Sequence, residues 1–264
     1  MKSHNPVLSR LGEAAQRERV AGYAPPAPTG QPYPTGAGFG AAPPQVAPMT
    51  VDDVVVRTVG LLALVGVSGA VAWRTVPQEL ALPVLLGAAV TGLVLGLVIA
   101  FARVSNPLVI GAYALVQGAF LGLISKFFEA RFPGIVVQAA LGTFGTFFLM
   151  TGLYRLRVIR ATPRFARVVI AAVIGVVALM LVNLVLALFD VNMGLRDGGP
   201  LAIGFSVVCI VVAALTFILD FHQVEEAVRY GLPRKFAWNC AFGLVVGLVW
   251  MYLEILRLIG YLRD

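Results

Sequence analysis

The feature that most constrains this chain is a series of long apolar runs that follow one another after residue 50. Seven runs cover roughly residues 54–73, 82–102, 107–128, 134–154, 167–189, 201–220 and 236–261. Each has about 20 residues or slightly more, which at 1.5 Å of rise per helical residue crosses about 30 Å of hydrocarbon. We therefore predict an all-α integral membrane protein, a bundle of seven transmembrane helices in contact with the lipid bilayer.

The charge content agrees with a membrane location. Only 12% of the 264 residues are charged, whereas a soluble domain has about 25%. The net charge of +7 comes from cations that lie mainly in the tail and in short loops between the apolar runs, where they set membrane orientation. We therefore expect no nucleic-acid partner.

The first 50 residues differ from the rest of the chain. The stretch "YAPPAPTGQPYPTGAGFGAAPPQVAP" is rich in Pro, Gly and Ala and has no charged residue. Such a composition cannot bury enough apolar surface to offset the entropy of ordering. We predict a disordered tail over residues 1–50 and a membrane domain over residues 51–264, and a proline-rich segment that binds a partner stays open as an alternative for the tail.

The distribution of Lys and Arg predicts the orientation of the bundle. If the N-terminus is inside, fourteen cations fall on that side: Lys2, Arg10, Arg17, Arg19, Arg57, Arg103, Arg155, Arg157, Arg160, Arg164, Arg167, Arg229, Arg234 and Lys235. Five fall on the other side: Arg74, Lys126, Arg131, Arg196 and Arg263. Since cytoplasmic loops carry the excess of Lys and Arg, we expect a cytoplasmic N-terminus and an outer C-terminus.

The motifs give little support for an enzyme. "GVSG" around Ser68 is similar to the serine motif of rhomboid-type proteases, but that chemistry needs a histidine base within hydrogen-bond reach. His4 lies in the tail, and His222 lies at the opposite membrane face from Ser68. We interpret the motif as a helix-packing surface, find neither HExxH nor a Walker-type loop, and expect no enzymatic activity.

Asp220 and Arg103 are the strongest candidates for a functional site. Runs two and six cross the membrane in the same direction, and Arg103 and Asp220 stand at their ends. Carboxylate and guanidinium at one depth can form a bidentate, charge-assisted pair, although both could instead face the headgroups. Glu254 and Arg257, three residues apart on run seven, are predicted to pair structurally near the outer end.

Several stretches resemble the Bax inhibitor family, in its bacterial YccA-like branch of the actinobacterial type. "FILDFHQVEEAVRYG" is similar to the ending of that family's sixth helix, and "WMYLEILRLIGYL" to its last helix. The resemblance covers about residues 50–262. It implies a pH-sensitive calcium or cation leak channel in the bacterial plasma membrane. The resemblance also implies that Asp220 is the proton sensor and a calcium contact of this channel. Arg103 would be a latch that pairs with Asp220 when the channel is closed.

The chain departs from that family at the second acidic residue of the sensor. Glu254 is about 18 residues into run seven, or about 27 Å along the axis, at the opposite end from Asp220. His222, Glu225, Glu226 and Glu254 are expected as accessory groups. Calcium, as permeant or regulatory ion, is the only cofactor we expect. The alternative function is a non-conducting regulator of stress response or membrane-protein quality control, which binds partners through the tail or the loop 155–167.

Overall fold

The computed structural model describes residues 47–189 and 193–264, so the predicted disordered tail lies almost wholly outside the described residues. Within them the chain forms seven long α-helices, each apolar and long enough to cross a membrane. They are α1 Val51–Thr75, α2 Gln78–Ala102, α3 Pro107–Arg131, α4 Ile135–Arg155, α5 Pro163–Ala187, α6 Pro200–Arg229 and α7 Ala237–Arg263. A short 3₁₀ turn, Arg234–Phe236, precedes α7. The predicted seven-helix membrane protein is confirmed.

Local sequence explains where these helices begin. Thr50 and Asp53 form a capping box at the start of α1, in which each side chain accepts a hydrogen bond from the other residue's backbone. Asn106 caps α3 through its side chain, and Pro107 occupies the first turn, where a missing N–H is harmless. The same arrangement of cap and proline recurs at Thr162 before α5.

α7 lies at the centre of the bundle. It packs against α1, α3, α4 and α6, and its buried residues point in several directions around the helix. α2 packs mainly against α3, and α5 packs mainly against α6. Most of the residues of these two helices are not buried in the protein, and their exposed apolar side chains are the surface that a lipid bilayer would cover.

Side-chain contacts define the two ends of the bundle. At the end where α1 begins, here called the N-terminal end, Arg234 Nε donates to Asp53 Oδ1 at 2.7 Å and ties α1 to the α6–α7 connection. At the opposite end, where α7 finishes, Arg263 Nη2 donates to Gln138 Oε1 at 2.7 Å and ties α7 to α4. This opposite end is called the C-terminal end below.

Glycine residues allow a very close contact between α1 and α3. A Cβ placed on Gly122 would lie 2.2 Å from the backbone oxygen of Gly69, and one on Gly118 would lie 2.3 Å from the backbone oxygen of Val65. Ser68 takes part in the same interface, where its hydroxyl donates to the Leu115 carbonyl oxygen at 2.9 Å. The interpretation of the GVSG motif as a packing surface is confirmed.

Candidate functional site

Asp220 lies nine residues before the end of α6, in the interface with α7. Its side chain is half-buried, and its Oδ1 is 3.9 Å from the position that a Cβ on Gly243 would occupy. Cys240 lies one turn before Gly243 on α7, within electrostatic range of the Asp220 carboxylate. Among the described residues no hydrogen bond or ion pair reaches this carboxylate, so the helix interface holds an acid without a protein partner.

Arg103 is not brought to Asp220. It ends α2 in the left-handed conformation, with φ of 50°, and its side chain is exposed. The ion pairs of the described residues do not include one between Arg103 and Asp220. The reason is the arrangement of the helices within the membrane plane, because α2 packs against α3 and has no substantial interface with α6.

The accessory residues predicted after Asp220, one histidine and two acids, lie on the last two turns of α6. His222 Nε2 is 3.8 Å from Glu226 Oε1 on the same helix, and the Tyr154 hydroxyl of α4 donates to the Glu225 carboxylate. Neither acid contacts Asp220 by a hydrogen bond. In the described part of the chain no three His, Cys, Asp or Glu side chains lie close enough to hold a metal together. A calcium ion at Asp220 would therefore take most of its 6–8 oxygen ligands from water or carbonyl groups.

Glu254 forms a second polar site towards the C-terminal end. Its side chain is almost fully enclosed, with 1% of the residue exposed. Oε1 accepts a hydrogen bond from Arg257 Nη1 at 2.8 Å, and Oε2 has no partner among the described residues. The predicted structural pair of Glu254 and Arg257 is confirmed. Glu254 lies eleven residues beyond Gly243, or about 16 Å along α7, so it does not join Asp220.

The connection between α5 and α6 brings Arg196 towards the same pair. Burial and the neighbouring Arg257 guanidinium both lower the pKa of Arg196, because each disfavours the cation, while Glu254 acts in the opposite direction. The Arg196 side chain still reaches solvent. Two guanidinium groups thus lie around one enclosed carboxylate. No sequence pattern predicts this grouping, since Arg196 is far from Glu254 along the chain.

Phe217 is the residue between the two acids that sequence reasoning missed. It is fully buried, with 0% exposure, and its ring atom Cε1 is 3.0 Å from the position of a Cβ on Gly247. The only signal in the sequence was the "GLVVG" pair of Gly243 and Gly247, which predicts close packing but does not identify the residue that fills the space.

The chain matches a known protein family over almost its whole length. Residues 5–264 match the family described as Bax inhibitor 1 like. No curated protein matches the chain. The family match covers all seven helices, so it concerns the entire bundle together with most of the N-terminal tail.

Proposed function

Because this chain belongs to the Bax inhibitor 1 like family of multi-pass membrane proteins, we propose that it is a pH-sensitive cation leak channel with calcium as its ion. Asp220 is the gate in this proposal. The N-terminus faces the cytoplasm of a bacterial cell, as the excess of Lys and Arg around the N-terminal end favours.

The observation that carries the proposal is the unpartnered carboxylate of Asp220 between α6 and α7. An ionisable group at membrane depth is costly, and such groups most often mark ion or proton pathways. A carboxylate without a protein cation can be stabilised by a proton or by a passing cation. Because protonation changes the charge of this one group, conduction that is controlled by Asp220 depends on pH.

Arg103 acts in the proposal as a latch for the closed state. An ionised Asp220 attracts the Arg103 guanidinium, and protonation removes that attraction. Latching requires α2 to approach α6, and α2 packs against α3 in this structure. The arrangement described above is therefore the unlatched one within this proposal. The carboxylates of Glu225 and Glu226 raise the local density of cations near the N-terminal end, and His222 is an accessory group beside Glu226.

A second candidate is a non-conducting regulator, favoured by the loop 155–167. Its five arginines are all exposed, and none forms an ion pair with a described residue: Arg155, Arg157, Arg160, Arg164 and Arg167. A cluster of exposed guanidinium groups that form no ion pair among the described residues suits an acidic protein partner or anionic lipid headgroups. In this candidate the tail and the loop bind partners, and no ion crosses the bundle.

The two candidates are separated by calcium flux into proteoliposomes that contain the purified full-length chain and an internal calcium dye. A channel is expected to give flux above that of protein-free vesicles, and the flux rises as the pH falls. A variant that lacks residues 1–46 keeps Met49, whose side chain is buried and whose N–H donates to Leu232. This variant should conduct like the full chain. Flux no higher than in empty vesicles at any pH would favour the regulator.

A further inference from the structure

Asp220 and Glu254 mark the two ends of the interface between α6 and α7, and buried apolar residues, among them Phe217, Ala213 and Met251, lie between them. On α6, Asp220, Phe217, Ala213 and Cys209 recur at three or four residues and so lie on one helix face. Asp220 lies beside Gly243 of α7, and Cys209 is within electrostatic range of Glu254. This strip of contact, from Asp220 to Glu254, is called the α6–α7 seam below.

The middle of the seam is apolar and closely packed. Phe217, Ala213 and Met251 of α7 belong to one apolar cluster, and each has 0% exposure. A cation that moves along the seam from Asp220 would lose its water here, and the side chains of Phe217, Ala213 and Met251 would offer it no oxygen ligand in exchange. A fully apolar stretch between two acids is therefore the highest barrier on such a route.

The Phe217 ring is held in place from two sides. Gly247 provides the space that the ring fills, since even a methyl group there would come within 3.0 Å of ring atom Cε1. Phe147 of α4 meets the ring edge-on, with centroids 5.3 Å apart, and Phe221 stacks at 6.4 Å. The ring thus bridges α4, α6 and α7 at the level directly beyond Asp220.

We propose that Phe217 is the hydrophobic constriction of the conduction route, closing the α6–α7 seam over Gly247 between Asp220 and Glu254. The inference rests on the proposed channel function and adds the place where the route is closed. Apolar constrictions gate by excluding water, and they open when the apolar group moves aside. Phe217 is one helical turn from Asp220 on α6, so a small rotation of α6 moves both side chains together.

The first arm of the test measures calcium flux with Phe217→Ala in the full-length chain. Loss of the ring is expected to raise the flux about tenfold, which corresponds to a barrier lower by about 1.4 kcal/mol. Phe217→Leu keeps an apolar side chain of intermediate size and should give a smaller rise. Phe148→Ala is the matched control, because Phe148 is 66% exposed on α4 and lies outside the seam; its flux should equal that of the wild type.

The second arm measures water access without any need for conduction. Cys209 lies in the seam on the far side of Phe217 from Asp220 and has 0% exposure. In a Cys240→Ser background it is the only cysteine left. A membrane-impermeant methanethiosulfonate reagent, added only from the side of the N-terminal end, should leave Cys209 unlabelled in that background and in the Phe148→Ala control. It should label Cys209 when Phe217→Ala is added.

The two arms give distinguishable outcomes. A rise in both flux and labelling supports the constriction and the channel. If labelling rises but neither the wild type nor any variant conducts calcium, Phe217 is supported as the water barrier and the proposed channel function is rejected. If Cys209 stays protected in Phe217→Ala protein of wild-type helical content, the constriction is overturned, whatever the flux. If Phe217→Ala does not fold, the same labelling criterion applies to Phe217→Leu.

Discussion

Replacement of Glu254 by alanine is expected to lower the free energy of unfolding by about 3–5 kcal/mol, the usual cost of removing one partner from a buried ion pair. The Arg257 side chain is only 20% exposed and hydrogen-bonds to Glu254 at 2.8 Å. Without the carboxylate, Arg257 keeps its charge in a poorly solvated place. It also meets the repulsion of Arg196, which is within electrostatic range.

Thermal unfolding in detergent, followed by circular dichroism, measures this effect as a fall in Tm. Glu79→Ala is the control, because Glu79 is an exposed acid in the first turn of α2. The double variant Glu254→Ala with Arg257→Leu should recover part of the loss, since it removes the uncompensated cation. Equal Tm values for Glu254→Ala and Glu79→Ala would show that the enclosed pair does not stabilise the bundle.

Gly122→Ala is expected to have the second large effect, a loss of about 3 kcal/mol at the upper end of the usual overpacking range. The added Cβ would lie 2.2 Å from the Gly69 oxygen and 2.7 Å from its Cα. Both are backbone atoms, so no side chain can turn away and α1 and α3 must separate. This contact belongs to the most extensive helix pair in the bundle.

Gly60→Ala on α1 separates this steric effect from helix propensity. A Cβ on Gly60 would meet nothing within 4 Å, and alanine favours a helix over glycine by about 1 kcal/mol. Gly60→Ala should therefore leave the Tm unchanged or raise it slightly, while Gly122→Ala lowers it. If the two variants unfold at the same temperature, the close α1–α3 contact is not needed for stability.

The helices could be predicted because a bilayer demands long apolar runs, and each run became one helix. The predicted helix ends were less accurate, since hydropathy marks the segment that lies in the hydrocarbon and not the full length of the helix. Run six was predicted to end at Asp220, yet α6 continues to Arg229, because charged residues outside the hydrocarbon still make helix hydrogen bonds. Run five was predicted from residue 167, whereas α5 begins at Pro163 behind the Thr162 cap.

The candidate site was harder to predict from the sequence, because hydropathy does not show which helices are neighbours within the membrane. Topology placed Arg103 and Asp220 at the same end of the bundle, but it could not place α2 beside α3 and away from α6. Phe217 lies in an apolar run, and its hydropathy does not distinguish it from the residues around it. Only its position over Gly247 distinguishes it. The pair of Glu254 and Arg257 was predictable because both residues are on one helix three positions apart.

Calcium flux across a range of pH, with wild-type chain and Asp220→Asn compared in proteoliposomes, tests the proposed gate most directly. Protonation of Asp220 removes the charge that would hold Arg103, so wild-type flux should rise as the pH falls. Asparagine is neutral at every pH, so Asp220→Asn should conduct at the high level throughout. Asp52→Asn, which removes an exposed acid at the same end of the bundle, should keep the wild-type profile. A wild-type pH profile in Asp220→Asn would contradict the assignment of Asp220 as the gate.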